Sequence, residues 1–199
     1  MIKAAIFDLG GVYFINGTKK FIEAISKRYF IFPDDVAKII DGSIGSKYRT
    51  SEITEKEFWN YVKSQLNLRE TTENLKQLWF EGYEPIEGTV DLVKRLGAKY
   101  RVAFLSDNVK ERADYIEDKF HFLQHFETGV FSHQVGVRKP DKRIYHALLK
   151  KLKLKPEECV FIDDKETALK PAQELGMRTI LFVSPEQTES DLRNLGLTF

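Results

Sequence analysis

The sequence predicts an α/β protein in which a parallel sheet is covered on both faces by helices. From residue 84 onward, short apolar runs alternate with amphipathic helical stretches. This order is typical of a three-layer α/β fold, with helices on both faces of a parallel sheet. A single strand pattern stands at the N-terminus, and residues 16–83 after it show helical spacing without any strand. We therefore expect an α/β core formed by residues 1–15 and 84–199, with a small α-helical cap inserted at residues 16–83.

The first strand and the inserted helices follow from two different apolar patterns. Ile2–Phe7 is short and continuously apolar, which indicates a buried strand. Asp34 is predicted to cap the second inserted helix, and Ser51 or Thr54 the third. Apolar residues recur at helical spacing in four groups: Phe21, Ile22, Ile25 and Tyr29; Val36, Ile39 and Ile40; Phe58, Trp59, Val62 and Leu66; Leu75, Leu78 and Trp79. We expect Trp59 and Trp79 to belong to the apolar interior of this insert.

The rest of the chain predicts alternating strands and helices. Residues 84–88 interrupt the helical pattern with Pro and Gly and return the chain to the core. The predicted strands are Val102–Leu105, Val130–Phe131, Val160–Ile162 and Thr179–Val183. The predicted helices are Val90–Leu96, Arg112–Phe120, Arg143–Leu152, Ala168–Leu175 and a short final one at Leu192–Leu195.

Composition excludes several classes of partner. The 199 residues include 31 Lys and Arg and 30 Asp and Glu, so the formal net charge is +1 and no basic surface for nucleic acid is expected. No apolar run approaches the roughly 20 residues that span a bilayer, and no signal-peptide pattern precedes the first strand. The single Cys159 excludes an internal disulfide and suits a reducing compartment. We expect a soluble cytoplasmic protein, and the sequence leaves its oligomeric state open.

Polar side chains follow the predicted strands at the points where the strands end. Asp8 follows the first strand, Ser106 the second, and the pair Asp163-Asp164 the strand at Val160–Ile162. Lys139 precedes Pro140 in a connection between elements. Because all strand-to-helix loops of a parallel sheet lie along one edge, we expect these groups to converge.

This set of groups predicts magnesium-dependent phosphoryl transfer. A carboxylate such as Asp8 can attack phosphorus, and Mg²⁺ prefers the hard oxygen ligands that Asp8, Asp163 and Asp164 offer. Phosphate would be bound by Lys139, by the Ser106 hydroxyl and by the backbone amides of Asp107 and Asn108, while Gly10 and Gly11 keep the approach open.

Taken singly, each of these residues has an ordinary structural interpretation. An Asp after a strand often forms a turn, Ser106-Asp107-Asn108 could cap the next helix, and Lys139-Pro140 could begin one. The occurrence of four complementary groups in this order favours the interpretation as a phosphoryl-transfer site.

Two other features of the sequence lie outside this predicted site. His121 and His125 could pair on one helix face as metal ligands but lack further ligands nearby. Lys47, Tyr48 and Arg49 could either meet the distal end of a substrate or form a solvated connection.

Four segments of the chain resemble the motifs of the haloacid dehalogenase-like hydrolases. They are FDLGGV at residues 7–12, LSDN at 105–108, GVRKPD at 136–141 and FIDD at 161–164. The resemblance implies a Rossmann-like core with a helical cap, Asp8 as nucleophile, and magnesium held by Asp8, the Gly10 carbonyl and Asp164 with Asp163 close by. Residues Leu169–Met177 are similar to the branch that contains sugar-phosphate phosphatases and the phosphatase domain of soluble epoxide hydrolases. We therefore expect a phosphatase for a small phosphorylated metabolite, with sugar phosphates as one candidate class.

Gly10 departs from the pattern that this resemblance implies. Phosphatases of the family usually carry a second Asp there, which protonates the leaving group, and general acid catalysis typically contributes about 10²–10⁴-fold. We therefore expect a preference for leaving groups of low pKa, such as an anomeric sugar oxygen. Two alternatives remain: a 2-haloacid dehalogenase, which uses the same nucleophile without metal, and a phosphate- or partner-binding protein weakened by the missing acid.

Overall fold

A single five-stranded parallel sheet forms the centre of the protein. The computed structural model describes all residues, 1–199. The strands are β1 (Ala4–Phe7), β2 (Arg101–Ser106), β3 (Thr128–Phe131), β4 (Cys159–Asp163) and β5 (Arg178–Leu181). They are ordered β3-β2-β1-β4-β5, and every neighbouring pair is parallel. The predicted α/β fold class is confirmed, and each strand lies where the apolar runs placed it.

The helices of the core begin after the sheet's first strand and the inserted segment. They are α6 (Glu87–Gly97), α7 (Lys110–Phe120), α8 (Ser132–Val135), α9 (Lys142–Leu152), α10 (Glu166–Glu174) and α11 (Pro185–Asn194). Short 3-10 turns occur at Phe122–His125 and Pro156–Glu158. The final helix is longer than the predicted Leu192–Leu195, because Ser184 caps it and Pro185 occupies its first turn. None of the helices combines the length and the apolar character that a membrane-spanning segment needs.

Alternate residues of the central strands supply the two apolar layers of the core. Helices α9 and α10 cover one face of the sheet, and α6, α7 and α11 cover the other. Side chains on the α9–α10 face are Ala4, Ile6, Ala103, Leu105, Cys159 and Phe161, whereas Ala5, Phe7, Val102, Phe104, Val160 and Ile162 lie on the opposite face. This alternation is what a strand buried on both sides requires, since successive side chains point to opposite faces.

The segment between β1 and α6 contains five helices and no strand. They are α1 (Gly17–Tyr29), α2 (Pro33–Ile40), α3 (Ser43–Arg49), α4 (Glu55–Leu66) and α5 (Thr72–Phe80). Thr54 begins α4 in a capping box: its hydroxyl accepts from the Glu57 N–H at 3.3 Å, and the Glu57 carboxylate accepts from the Thr54 N–H at 2.8 Å. Trp59 and Trp79 are fully buried, as expected. The division into a core and a cap domain stays a prediction.

Two features of this segment differ from the sequence-based expectation. Asp34 does not cap α2, because the helix begins at Pro33 and Phe32 occupies the position before it. Helix α3 was not anticipated, since its seven residues include Gly45 and show no apolar stripe. The consequence is that Arg49 is held on a helix and buried rather than placed in a solvated connection.

The chain enters and leaves the inserted helices through two paired segments. The Ile15 N–H donates to the Glu84 carbonyl at 2.8 Å, and the Ile86 N–H donates to the Tyr13 carbonyl at 2.9 Å. At Gly17, a Cβ atom would lie 2.2 Å from the Tyr83 ring. Only glycine therefore allows the two segments to approach so closely.

The two histidines considered as a metal pair do not share a helix face. His121 ends α7 in the left-handed conformation, and His125 lies in the 3-10 turn that follows. The His125 Nδ1 atom is 2.6 Å from the Tyr13 hydroxyl. His125 therefore belongs to an aromatic packing region, as Tyr13 also packs against Phe122 and Phe126.

Candidate active site

The polar residues of the predicted site meet at the carboxyl edge of the sheet. Ser106 and Asp163 are the last residues of β2 and β4. Asp8 follows β1 directly, and its N–H donates to the Ile162 carbonyl at 2.8 Å, which extends the strand pairing by one residue. Since β1 lies between β2 and β4, the geometry of a parallel sheet brings the three side chains together.

Lys139 lies at the centre of this group of polar residues. Its ammonium is 2.8 Å from Asp8 Oδ1 and 2.6 Å from Asp163 Oδ2. It also donates to the Leu105 carbonyl at 3.2 Å. Lys139, Asp8 and Asp163 are all less than a tenth exposed. One ammonium is therefore shared between two buried carboxylates that belong to different strands.

Asp164 adds a third carboxylate to the cluster. Oxygen atoms of Asp8, Asp163 and Asp164 all lie within 4.8 Å of one another. Three carboxylates against the single ammonium of Lys139 leave an excess of negative charge. Asp164 Oδ1 is buried and has no hydrogen-bond partner, which is costly for a buried oxygen unless a cation contacts it. This donor set of hard oxygens fits a divalent cation such as Mg²⁺.

Gly11 permits the close approach of Asp164. A Cβ atom at this position would lie 2.3 Å from Asp164 Oδ2, and the residue has a φ of +98°. Both features require glycine. Asp163, in contrast, already uses both oxygens: Oδ2 accepts from Lys139 Nζ and Oδ1 accepts from the Lys165 N–H at 2.9 Å.

Burial and charge together set the protonation of the site. Burial raises the pKa of Asp8 to about 6, although Lys139 opposes this shift. Burial also raises the pKa of Asp163 and of Asp164 above their ordinary values. Burial by itself would lower the pKa of Lys139, but Asp163 and Asp8 raise it well above the usual range. Lys139 therefore keeps its positive charge at neutral pH.

The loop after β2 holds the site together and does not cap the next helix. Helix α7 follows Val109 and has no side-chain cap. The Asp107 carboxylate accepts from the Lys139 N–H at 3.0 Å and from Arg138 Nε at 3.2 Å, so it positions the segment that carries Lys139. Likewise, Lys139-Pro140 does not begin a helix, since α9 starts at Lys142.

The backbone amide of Asn108 is already occupied. Its N–H donates to Ser132 Oγ at 3.0 Å, and its side-chain oxygen accepts from Arg112 Nε at 2.6 Å. A single N–H cannot serve a phosphate oxygen while it makes this bond. Of the two amides considered from the sequence, only that of Asp107 makes no hydrogen bond within the protein.

A polar cavity of about 270 Å³ lies above the strand ends. Asp8, Gly10, Ser106, Asp107, Asn108 and Lys139 line its floor, and Thr18, Asp41, Arg49, Tyr83 and Arg112 line its walls. Sequence reasoning did not single out Thr18, Tyr83 or Arg112, because isolated polar residues on apolar helices carry no local signal of a site. Arg49 was noted as a residue that could meet a substrate, and it does line the cavity. Lys47 is exposed.

Gly10 has room for a side chain. A Cβ atom there would meet only Tyr83 Cε1, at 3.6 Å, which is an ordinary contact. The glycine is therefore not required by the packing, in contrast to Gly11.

The family model for haloacid dehalogenase-like hydrolases matches residues 2–176 of the chain. The protein therefore belongs to the haloacid dehalogenase-like hydrolases, as the four motifs indicated. It is an enzyme of this hydrolase family with the fold that the family's solved members share.

Individual relatives resemble the chain over different lengths. An uncharacterised protein of Dictyostelium discoideum is 32% identical over 88% of the chain and 76% of its own length. The chloroplast flavin mononucleotide hydrolase 1 of Arabidopsis thaliana is 31% identical over 63% of the chain and 51% of its own length. Bifunctional epoxide hydrolase 2 of Mus musculus is 50% identical over 36% of the chain. The chain matches about half of the Arabidopsis protein and only 12% of the mouse protein.

One solved structure combines a similar fold with bound ligands. It is a haloacid dehalogenase family enzyme of Bacteroides thetaiotaomicron in complex with magnesium and inorganic phosphate. It is 26% identical, covers 90% of this chain and 93% of its own, and has a TM-score of 0.76. This Bacteroides enzyme thus binds magnesium and inorganic phosphate on a fold similar to the one described above.

Proposed function

We propose that this hydrolase is a magnesium-dependent phosphatase that cleaves phosphoric monoesters of small metabolites through a phospho-aspartate on Asp8. The observation that carries the proposal is the buried cluster of Asp8, Lys139, Asp163 and Asp164 at the carboxyl edge of the sheet. Phosphoryl transfer needs positioning and cationic stabilisation, and this cluster offers both. The flavin mononucleotide hydrolase relative and the magnesium and phosphate complex of the Bacteroides enzyme support the same chemistry.

Asp8 and Asp164, with the carbonyl of Gly10, would hold Mg²⁺. Asp164 fits this role because its Oδ1 atom has no other partner. Asp163 would act beside them by orienting Lys139, since both of its oxygens already accept hydrogen bonds. When bound, the metal would offset the electrostatic repulsion between the phosphate dianion and the attacking carboxylate.

The remaining groups perform the reaction in two displacements. Asp8 attacks phosphorus, the bond from phosphorus to the ester oxygen breaks, and that oxygen departs with the bonding electrons and takes a proton from water to give the alcohol. Water then attacks the acyl phosphate, which releases inorganic phosphate and restores Asp8. Lys139 and the Ser106 hydroxyl would bind the phosphoryl oxygens, because Lys139 is charged and both residues line the cavity beside Asp8.

The leaving group sets the substrate preference. Position 10 carries no carboxyl that could give a proton to the departing oxygen. Leaving groups of low pKa need this proton least, so sugar 1-phosphates, with an anomeric oxygen, are our candidate class. Neither alternative drawn from the sequence accounts for the three-carboxylate cluster. Dehalogenation requires no metal, and a non-catalytic binding protein has no need of a nucleophile held against Lys139.

A phosphate-release assay with and without magnesium tests this proposal. We expect turnover of aryl and anomeric phosphates that stops when Mg²⁺ is removed by chelation. Asp8→Asn should lose at least about 10³-fold in kcat, since a step through a covalent intermediate cannot proceed without its nucleophile. Asp118→Asn, an exposed Asp→Asn change on α7, is the matched control and should retain activity. Metal-independent turnover, or full activity of Asp8→Asn, would refute the mechanism.

A further inference from the structure

Arg112 is a buried cation in the wall of the cavity with no carboxylate within ion-pair distance. It is 2% exposed, it lies on α7, and no salt bridge includes it. A buried guanidinium is normally paired, because an isolated charge loses its hydration without compensation. The unpaired charge is therefore a feature that the enzyme's fold by itself does not explain.

The surrounding residues hold this guanidinium in one orientation. Nε donates to Asn108 Oδ1 at 2.6 Å, and Nη1 donates to Thr18 Oγ1 at 3.3 Å. The group lies over the Trp79 ring and over the Tyr83 ring, with Cζ 4.5 Å and 4.7 Å from their centroids. Arg has five N–H donors, and no Arg112 nitrogen is both sealed from solvent and unbonded. Nη2, which makes no hydrogen bond within the protein, therefore keeps access to solvent, and Arg112 lines the cavity.

The other charges on this wall do not neutralise Arg112. The neighbouring Arg49 is paired with Asp41, at 2.6 Å between Nη2 and Oδ1. One carboxylate thus offsets one of the two guanidinium groups. This wall of the cavity therefore keeps an excess positive charge.

Tyr83 supplies a second donor beside Arg112. The Thr18 hydroxyl accepts from Trp79 Nε1 at 3.0 Å and from Arg112 at 3.3 Å, which fills both lone pairs of its oxygen. Its proton must then be donated to the Tyr83 hydroxyl oxygen, 2.8 Å away. The proton of Tyr83 itself is left available for an acceptor in the cavity that Tyr83 lines.

We propose that Arg112 and Tyr83 form a second oxyanion-binding subsite, so that the preferred substrates carry a further phosphate or carboxylate besides the phosphoryl group that is transferred. This inference rests on the proposed phosphatase function. A planar guanidinium and a hydroxyl donor are well suited to an oxyanion. The transferred phosphoryl group would lie at Asp8, Ser106 and Lys139, whereas Arg112 bonds to Asn108 and Thr18 and to none of these three residues.

Three substrates that differ only at one carbon test the subsite. Glucose 1-phosphate, glucose 1,6-bisphosphate and glucuronate 1-phosphate share the scissile group. Carbon 6 is a hydroxymethyl group in the first, a phosphorylated hydroxymethyl group in the second and a carboxylate in the third. We expect release of the 1-phosphate with a kcat/KM at least about tenfold higher for the two doubly anionic substrates than for glucose 1-phosphate, as a hydrogen bond to a charged group allows. The relative rates of the bisphosphate and the glucuronate show which oxyanion the subsite prefers.

Variants of the two donors should remove this preference selectively. Arg112→Met should lower kcat/KM for the doubly anionic substrates by on the order of 10- to 100-fold and change glucose 1-phosphate much less. Arg112→Lys keeps the charge without the planar donors, so its kcat/KM for the doubly anionic substrates should lie between those of the parent enzyme and Arg112→Met. Tyr83→Phe preserves the ring that lies against Arg112 and should reduce the preference several-fold. Arg69→Met and Tyr61→Phe, at exposed positions, are the matched controls.

Equal losses on all three substrates would overturn the subsite, because Arg112 would then act on the transferred phosphoryl group or on folding alone. If Arg112→Met does not fold, Tyr83→Phe gives the same comparison. Calorimetric titration of Asp8→Asn with each ligand in Mg²⁺ measures binding without turnover. Tighter binding of the doubly anionic ligands there supports the subsite even if phosphate release fails, whereas equal binding overturns it whether or not the enzyme is a phosphatase.

Discussion

At the scale of single residues, the most consequential contact is the one between Lys139 and two carboxylates of different strands. Lys139 lies in a loop, yet Asp107 fixes its backbone and Asp8 and Asp163 fix its ammonium. An ammonium is a compact point charge, so under the proposed function its position would decide where the phosphoryl group is bound. Gly10 and Gly11 lie beside this centre and differ in kind: packing requires glycine at the second position but not at the first.

Gly10→Asp should extend the range of leaving groups. The position has space for a side chain, and a carboxyl there would supply the proton that a departing alkoxide needs. We expect kcat on simple alkyl phosphates to rise by about tenfold or more, toward the 10²–10⁴-fold that general acid catalysis typically provides. Aryl and anomeric phosphates should change much less.

Gly10→Ala is the matched control, since it adds a Cβ without an acid and should leave the alkyl-to-aryl ratio unchanged. Steady-state kinetics on a series of phosphates with graded leaving-group pKa measure the effect. The slope of log kcat against leaving-group pKa should differ between Gly10→Asp and the parent enzyme. Equal slopes would contradict the interpretation of Gly10.

At the scale of elements, helix α11 is fastened to α6 over one face of the sheet by ion pairs. Arg95 of α6 bonds to Glu189 of α11 with two nitrogens and to Asp91 of its own helix at 2.7 Å. Arg193 contacts the same Glu189 at 2.8 Å. Hydrogen bonds from Arg95 and Arg193 lower the pKa of Glu189 to about 2.

Glu189→Gln should reduce the stability of the protein near neutral pH but not at strongly acidic pH. Because the folded-state pKa of Glu189 lies below its ordinary value of 4.5, its contribution is fully present above that value and is lost as the pH falls toward 2. We expect Glu189→Gln to lower the free energy of unfolding by about 1 kcal/mol or less at pH 7, since the pair is partly exposed. The difference should shrink between pH 4.5 and 2.

Urea unfolding of both proteins at several pH values measures this effect. Glu23→Gln, an exposed change in α1, is the control for loss of charge alone. A stability difference that stays constant down to the lowest pH would show that the ion pairs do not produce it.

At the scale of the whole molecule, the inserted helices and the sheet edge enclose one cavity between charges of opposite sign. Asp8 and Lys139 line the floor, with Asp163 and Asp164 clustered around Asp8, and Arg49 and Arg112 line the wall. A divalent cation at the floor would offset the excess negative charge there, and an oxyanion at the wall would offset the excess positive charge. Since the floor residues come from strands far apart in the sequence, a metal bound there should stabilise the folded state as a whole.

Removal of magnesium should therefore lower the stability of the parent enzyme. Asp164→Asn should be more stable than the parent enzyme without Mg²⁺ and less stable with it. Mg²⁺ at 100 times its Kd would add about 2.7 kcal/mol to the stability of the parent enzyme. Without metal, Asp164→Asn should have the higher Tm, because burial raises the pKa of Asp164 and so makes its charged form costly in the folded state. With Mg²⁺ the order of the two proteins should invert.

Thermal unfolding over a Mg²⁺ titration, with Asp118→Asn as the control, gives the comparison. If the parent enzyme and Asp164→Asn show the same dependence of Tm on Mg²⁺, Asp164 does not hold the metal.

The sequence by itself determined the five strands, the helical character of the insert, and the positions of Asp8, Ser106 and Asp163-Asp164 at strand ends, with Lys139 in a later connection. These features are readable because apolar periodicity and strand ends are local properties of the chain. It also identified the hydrolase family through four short motifs.

The tertiary structure alone decided which further residues meet these groups. Helix α3, which buries Arg49, has no apolar stripe, and the network of Thr18, Tyr83 and Arg112 joins residues up to 94 positions apart. No local pattern marks such residues, since their proximity results from the packing of the inserted helices over the sheet. The residues at the strand ends thus specify the floor of the cavity, whereas its wall forms only when the inserted helices pack over the sheet.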